Sequence, residues 1–260
     1  MDCFLLVDKP RSGVENMQTD HQMLCHAASH DRAFLRLYEW SAPTLTLGYF
    51  QKSADRREHR ESSSLDCVRR ATGGGAIVHH HDWTYSLALP PKLLDSKLGA
   101  AQHVYDCIHD TVVEWLTNRN FAARKWSEPT CRAESCSFLC FERRSLGDVI
   151  IGESKVMGSA QRRYKGALLQ HGSLLLKQSQ HAPSLLGLEE LLTESEANDS
   201  SSGSGLGDFS EEAASDFANA VAESMTGRLG LSLQLVNAFS EWIANEEAGA
   251  FGESSWELKR

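Results

Sequence analysis

An α+β fold is predicted by two features of the first 177 residues. Short runs of β-type alternation, several of them paired as hairpins, are interrupted by only a few stretches of helical periodicity, and no regular βαβ alternation is present. The composition agrees with a packed chain: 260 residues with 41% hydrophobic, 23% charged and 8% aromatic content. That excludes a wholly disordered protein, a collagen and a coiled coil. A chain of this length can fold as one α/β-type unit, and residues 1–260 are read as a single domain.

The elements follow in order. Phe4–Val7 is a short apolar patch flanked by charges, without a small-residue cleavage site, so no secretory signal is read there. Glu15–His26 carries Met17, Leu24 and Cys25 on compatible faces and predicts a helix. Ala33–Trp40 (AFLRLYEW) alternates like a half-buried strand. Pro43 and Gly48 bracket a second strand, Leu45–Leu47. The polar segment Gln51–Ser64 reads as a loop or a short solvated helix. Cys67–Arg70 and Ala76–His79 read as strands separated by a glycine run. Thr84–Leu89 is another strand, stopped by Pro90 and Pro91. Val104, Cys107, Ile108, Val112, Trp115 and Leu116 recur at i, i+3, i+4 spacing and predict the clearest amphipathic helix of the chain. Gly147–Met157 and Ala167–Leu176 read as strands joined by the polar turn QRRYKG. Residues Glu194–Gly207 are acidic and rich in Ser and Gly, which predicts a flexible surface loop. Glu211–Leu229 returns to helical spacing, and Phe239–Trp256 is read as a further helix and a closing tail.

Charge and cysteine content narrow the chemistry. The formal net charge of -9 argues against a nucleic-acid groove. No run approaches the ~18 apolar residues of a membrane span. Seven cysteines with no export signal predict reduced thiols and a cytoplasmic setting. Cys131, Cys136 and Cys140 lack the second knuckle a tetrahedral zinc site needs. The run His79–His80–His81 cannot direct three ligands to one side of a strand. No metal site is therefore expected.

Three stretches carry chemistry. In Arg69–Arg70–Ala71–Thr72–Gly73–Gly74–Gly75–Ala76, three glycines after a strand allow a ligand to approach the main chain. Their N–H groups suit a carboxylate, a thioester carbonyl or a phosphate. The run is neither a P-loop nor a dinucleotide fingerprint, and on its own it could equally be a structural Gly-rich hairpin. In Gly152–Gln161 (GESKVMGSAQ), Lys155 interrupts an apolar strand pattern: either its ammonium snorkels to solvent or it is held in a pocket to polarise a carbonyl or favour a thiolate. In Leu168–Leu176 (LLQHGSLLL), His171 and Gly172 lie within a strongly apolar strand, where a structural histidine is the default.

Taken together, RRATGGGAIVHHHDWTYS (Arg69–Ser86), ESKVMGSAQRRYKGALLQHGSLLL (Glu153–Leu176) and PTLTLGYFQ (Pro43–Gln51) resemble the lipoate/octanoate transfer family. This family groups lipoate–protein ligases with octanoyltransferases and is related to biotin–protein ligases. The resemblance covers roughly residues 4 to 177. It implies a biotin/lipoate-ligase-like catalytic domain of mixed and antiparallel sheets flanked by helices. Ligases of the family activate lipoate with ATP, whereas transferases pass octanoate through a Cys thioester. Cys140, fifteen residues before Lys155, is similar in place to the catalytic Cys of the Gram-positive type of octanoyltransferase and of the related amidotransferase. The Gram-negative type has its Cys three residues before the HG pair, and here that position is Leu168.

The implied reaction is octanoyl transfer from octanoyl–acyl carrier protein through Cys140 to a lysine of a lipoyl domain, such as the glycine-cleavage H protein or a 2-oxoacid dehydrogenase E2. Lys155 would favour the thiolate, and it or a nearby backbone acceptor could assist loss of the amine proton. Arg70, Gly73, Gly74, Gly75, His79, Ser159, Ala160, His171 and Gly172 would bind substrate, with backbone N–H groups near Gly74–Gly75 or Ser159–Ala160 as oxyanion donors. No cofactor is implied, and ATP with Mg enters only if the chain is a ligase. The run GGG is common in ligases where many such transferases have GGR. Cys136 stays open as the reactive thiol. Arg162, Arg163 and Lys165 form a basic turn that either docks an acidic carrier domain or is simply solvated.

Overall fold

A computed structural model describes residues 1–94, 101–128, 137–192 and 211–237. Cys131, Cys136, the Ser/Gly-rich loop and the closing tail lie outside the described residues. The predicted α+β class holds. An eight-stranded mixed sheet has the strand order β11-β1-β2-β6-β10-β9-β8-β7, and a small sheet has the order β4-β3-β5.

In the large sheet, β1 (Asp2–Val7), β2 (Ala33–Tyr38), β6 (Asp82–Leu89), β9 (Ser154–Tyr164) and β10 (Ala167–Leu175) form the centre. Strands β7 (Ala123–Lys125), β8 (Val149–Ile151) and β11 (Ser232–Leu235) lie toward the edges. The small sheet comprises β3 (Thr44–Leu47), β4 (Asp66–Arg69) and β5 (Ile77–His79). The helices are α1 (Gly13–Ser29), a single turn α2 (Pro91–Leu94), α3 (Ala101–Thr117) and α4 (Glu211–Leu229). The segment 51–64 forms 3-10 turns over Ser53–Glu58 and Arg60–Ser62.

Alternation along β6 and β10 divides the interior into two layers. Trp83, Tyr85, Leu87 and Leu89 join Leu168 and Leu174 in a core with α3 and α4, which supply Ile108, Val112, Trp115, Phe217 and Val221. Ala88 and Leu169 face the opposite way and pack with Phe4, Phe34, Met23 and Leu24 beneath α1. Residues two apart along a strand share a face, so Thr84, Ser86, His171 and Ser173 also lie on the α1 side. Helix α1 begins at a capping box: the Glu15 N–H donates to Ser12 Oγ and the Ser12 N–H donates to Glu15 Oε2.

Several expectations are corrected. Ala33–Tyr38 is buried along its whole length, not half-buried. Arg36 lies inside the protein, and it is tolerated there because its guanidinium donates to Asp8 Oδ2 at 3.0 Å and Asn16 Oδ1 at 2.7 Å and pairs with Asp20 at 3.4 Å. Gly147–Met157 is two antiparallel strands, since Gly152 at φ +56° turns the chain. Gln161–Tyr164 belongs to β9, and the turn contracts to Lys165 and Gly166, both at positive φ. The patch Phe4–Val7 lies in a strand, and β7 and β11 had no recognisable sequence signal.

Candidate active site

A cavity of about 250 Å³ is lined by Met17 of α1, by Gln102 and Tyr105 of α3 and by residues of both sheets. Its floor follows one rung across four strands. Gly158 of β9 is opposite Ser173 of β10, Ser173 is opposite Thr84 of β6, and Thr84 is opposite Tyr38 of β2. The rung therefore spans about 14 Å, three interstrand spacings of about 4.8 Å. Cys140, Lys155 and Asp148 line the cavity together with Met17, Tyr38 and Trp40. These last three pack as one cluster.

The glycine run brings Cys140 to this place. The Cys140 N–H donates to the Ala76 carbonyl at 2.7 Å, and the Ala76 N–H donates to the Phe138 carbonyl at 2.9 Å. A Cβ on Gly75 would lie 2.9 Å from Cys140 N and 3.0 Å from the Phe138 carbonyl oxygen, so only glycine permits this approach. Gly74 adopts φ +91° beside the sulfur. Arg70 secures the loop: Nη1 donates to the Thr46 carbonyl and hydroxyl, and Nη2 donates to the Gly73 and Gly75 carbonyls. Burial lowers the Arg70 pKa to about 10, with the Cys140 charge acting the other way.

Lys155 is buried, 7% exposed, and its Nζ lies 3.9 Å from Cys140 Sγ. Its ammonium pairs with Asp148 Oδ2 at 2.7 Å. Asp148 also accepts from the Tyr105 hydroxyl at 3.1 Å and from the Ser145 N–H at 2.7 Å. Burial disfavours the Lys155 charge, but the neighbouring Cys140 and Asp148 charges outweigh it and raise its pKa above the ordinary lysine value. The snorkelling alternative is thereby set aside. A Cβ on Gly158 would lie 2.7 Å from Lys155 Nζ, so that glycine makes the space for the ammonium.

Two Asp–His–Thr chains stiffen the cavity. His79 Nδ1 donates to Asp82 Oδ2 at 2.8 Å, and its Nε2 meets Thr46 Oγ1 at 3.0 Å. Trp40 stacks on the His79 ring at 3.8 Å. Burial lowers the His79 pKa, with Asp82 opposing it. His171 Nδ1 meets Asp20 Oδ2 at 2.9 Å, and its Nε2 meets Thr72 Oγ1 at 2.6 Å. Thr46 and Thr72 both border the glycine run, through Arg70 and through Gly73 respectively. Below the floor, Gln170 Nε2 donates to the Tyr85 hydroxyl at 2.6 Å, and Ser159 Oγ lies 2.8 Å from that hydroxyl and 2.7 Å from His109 Nε2.

Of the residues singled out by sequence, Arg70, Gly74, His79, Cys140, Lys155, Ser159, Ala160, His171 and Gly172 all line the cavity. Gly73 stands beside Phe50, and Gly75 supports the Cys140 backbone. Asp148, Tyr105, Gly158, Thr46, Thr72, Asp82 and Asp20 were not anticipated. Their partners are far away in sequence or defined by strand register, except that the short Asp82–His79 spacing was visible. Among the described residues, no group of three or more His, Cys, Asp or Glu side chains could hold a metal ion. No helix among them is long and apolar enough to cross a membrane.

Comparison with known proteins adds to this geometry. The family model described as the lipoyl protein ligase A/B catalytic domain matches residues 12–223. The chain belongs to that family. Within it, the chain is 34% identical over 178 residues to octanoyltransferase LipM of Carboxydothermus hydrogenoformans, covering 64% of this chain and 62% of that protein. It is 35% identical over 172 residues to octanoyltransferase LipM of Kyrpidia tusciae, with the same coverage of 64% and 62%. The matches thus span less than two thirds of these relatives' length. Among solved structures, lipoate-protein ligase A bound with ATP has a TM-score of 0.66 at 20% identity, covering 99% of both chains. A bi-partite lipoate protein ligase from Thermoplasma acidophilum has a TM-score of 0.65 at 20% identity, covering 100% of this chain and 98% of that one. These two likenesses establish that the lipoyl ligase A/B fold is shared.

Proposed function

We propose that this chain is an octanoyltransferase that carries the acyl group as a thioester of Cys140, from octanoyl–acyl carrier protein to a lysine of a lipoyl domain. The observation that carries the reading is the half-buried Cys140 sulfur 3.9 Å from the Lys155 ammonium at the wall of one cavity. The likeness to the LipM octanoyltransferases supports it.

In the first step the Cys140 thiolate attacks the donor thioester and expels the carrier thiolate. One thioester replaces another, so the exchange is nearly thermoneutral and needs no ATP. In the second step the acceptor amine attacks the Cys140 thioester, forms an amide and releases the sulfur. The fixed positive charges of Lys155 and Arg70 stabilise sulfur anion in both steps. The tetrahedral oxyanion is assigned to backbone N–H groups at Gly74–Gly75 or Ser159–Ala160. The acyl chain lies along the rung toward Met17, Tyr38 and Trp40, where burial contributes about 0.8 kcal/mol per methylene.

Mass spectrometry of the protein mixed with octanoyl–acyl carrier protein, without ATP, tests this. An octanoyl adduct on Cys140 that disappears in Cys140→Ala is expected. An adduct on Cys136 would move the nucleophile. Acylated H protein acting as donor in place of the carrier protein would identify a lipoyl-domain amidotransferase. The GGG run at Gly73–Gly75 favours a second reading, an ATP-dependent lipoate–protein ligase. Lipoylation that requires ATP and survives loss of Cys140 would establish that reading instead.

A further inference from the structure

Asp148 sits where the transfer chemistry assigned above places no reacting atom, yet it makes the shortest contact of the Lys155 ammonium among its recorded partners. Both side chains are almost wholly removed from water. An isolated buried ammonium is costly, and a buried ion pair persists when the remaining lone pairs are also satisfied. Asp148 meets that condition. Oδ2 takes Lys155 and the Ser145 N–H, and Oδ1 takes the Tyr105 hydroxyl. Tyr105 is itself held against His109, with ring centroids 3.9 Å apart. The missing Cβ at Gly158 leaves the space that Lys155 Cε and Nζ occupy.

The groups facing Nζ from neighbouring elements are Cys140 and Phe141 of the 3-10 turn Cys140–Glu142, Arg143 just after it, Asp148 before β8, and Tyr105 and His109 of α3. His109 is buried and holds a neutral ring, with Nδ1 donating to the Gly147 carbonyl at 2.7 Å. Tyr105 donates to Asp148. The Asp148 carboxylate and the Cys140 sulfur are therefore the groups that answer the cation here.

We propose that Asp148 is a positioning residue that, braced by Tyr105, holds Lys155 as an ammonium aimed at the Cys140 sulfur through both half-reactions, so that Lys155 is not the base for the incoming amine. The inference rests on the octanoyl-transfer reading for its chemistry. In the second half-reaction the amine nitrogen forms the C–N bond and the C–Sγ bond breaks with its electron pair on sulfur. The amine proton passes to that sulfur, directly or through water, and leaves Cys140 as a thiol. Lys155 begins and ends the cycle with the same protons.

The first arm of the test reads Lys155 directly, without an acyl donor; the second compares acyl transfer by the variants. The full chain is labelled with ¹³C at lysine Cε, the Lys155 resonance is assigned by its loss in Lys155→Arg, and the pH is raised from 7 to 11.5. The wild-type resonance is expected to titrate above the ordinary lysine value of about 10.4. In Asp148→Asn it should move down by about one pH unit or more, with Asp148→Glu restoring the wild-type position. In Tyr105→Phe the carboxylate stays, so the titration should not move while kcat falls severalfold. Lys155→Arg should retain at least roughly tenfold more acyl transfer than Lys155→Met, because a guanidinium keeps the charge and cannot give up a proton. A wild-type Lys155 titrating below the ordinary lysine value overturns the proposal even if Asp148→Asn does not fold. So does an unmoved resonance in a folded Asp148→Asn, or equal inactivity of the Arg and Met variants beside an active wild type. If the titrations behave as expected but no acyl adduct forms on wild-type protein, the clamp stands and the transferase reading falls.

Discussion

At the scale of single residues, the site is built by subtraction. Gly158 gives the Lys155 ammonium its space, and the atoms a new Cβ would strike are the flexible end of that lysine, at 2.5 Å from Cε and 2.7 Å from Nζ. Gly158→Ala is thus expected to fold with a Tm close to wild type and to lose at least roughly tenfold in acyl transfer, because a displacement near 1 Å can cost that much or more. Thermal melts beside single-turnover acylation check this, and a variant that is fully active places the ammonium elsewhere. Met17 predicts a different outcome. Trp40 is anchored through Nε1 to Thr84 and Tyr38 through its hydroxyl to Asp20, which leaves Met17 the adaptable member of the wall. Met17→Ala should cost about 2–5 kcal/mol of stability and raise the ratio of dodecanoyl to octanoyl transfer. Competition between the two thioesters measures that ratio, and an unchanged value in a folded variant removes Met17 from the wall.

At the scale of elements, the glycine run and the Cys140 segment act as one unit because their backbones touch. Gly75→Ala would place a methyl 2.9 Å from Cys140 N and 3.0 Å from Cys140 Cα. Backbone cannot swing aside as a side chain can, so the Cys140 turn must shift. Alkylation of Cys140 by iodoacetamide and acyl transfer should both fall in this variant. Retention of both would show that the turn is not tied to the loop. This scale also separates what could be read from sequence. Cys140, Lys155, Arg70 and His171 were recognisable because residue type and spacing resemble a known pattern. Asp148 was not, because its meeting with Lys155 depends on the β8–β9 hairpin and its shifted register at Val149 and Ile150. Strand β1 was passed over because its partners, β2 and β11, are thirty and more than two hundred residues away. The half-buried reading of β2 failed at Arg36, whose polarity is answered by Asp8, Asn16 and Asp20 and not by water.

At the scale of the whole molecule, buried histidines couple stability to pH. Burial depresses His109 to about 3, and His79 and His21 are also lowered, mainly by burial. Below the unfolded histidine value of about 6.5, the unfolded chain binds protons that the folded chain refuses. For His109, stability therefore falls as pH drops from about 6.5 toward 3, by up to about 1.4 kcal/mol per pH unit; His79 and His21 add losses of the same sign that begin below about 6.5. Urea titrations at pH 7.5 and 5.0 should show this loss, and His109→Gln should reduce the slope. An equal slope in that variant would show that His109 is not excluded from protonation. The orientation of the cavity has a last consequence. Because the slot crosses Gly158, Ser173, Thr84 and Tyr38, it is a ruler whose coarse graduations are strand widths. Lengthening it beyond what trimming Met17 frees would need another rung position in the sheet itself, a change no point substitution can make. Fine calibration is left to the side chain at the end of the scale.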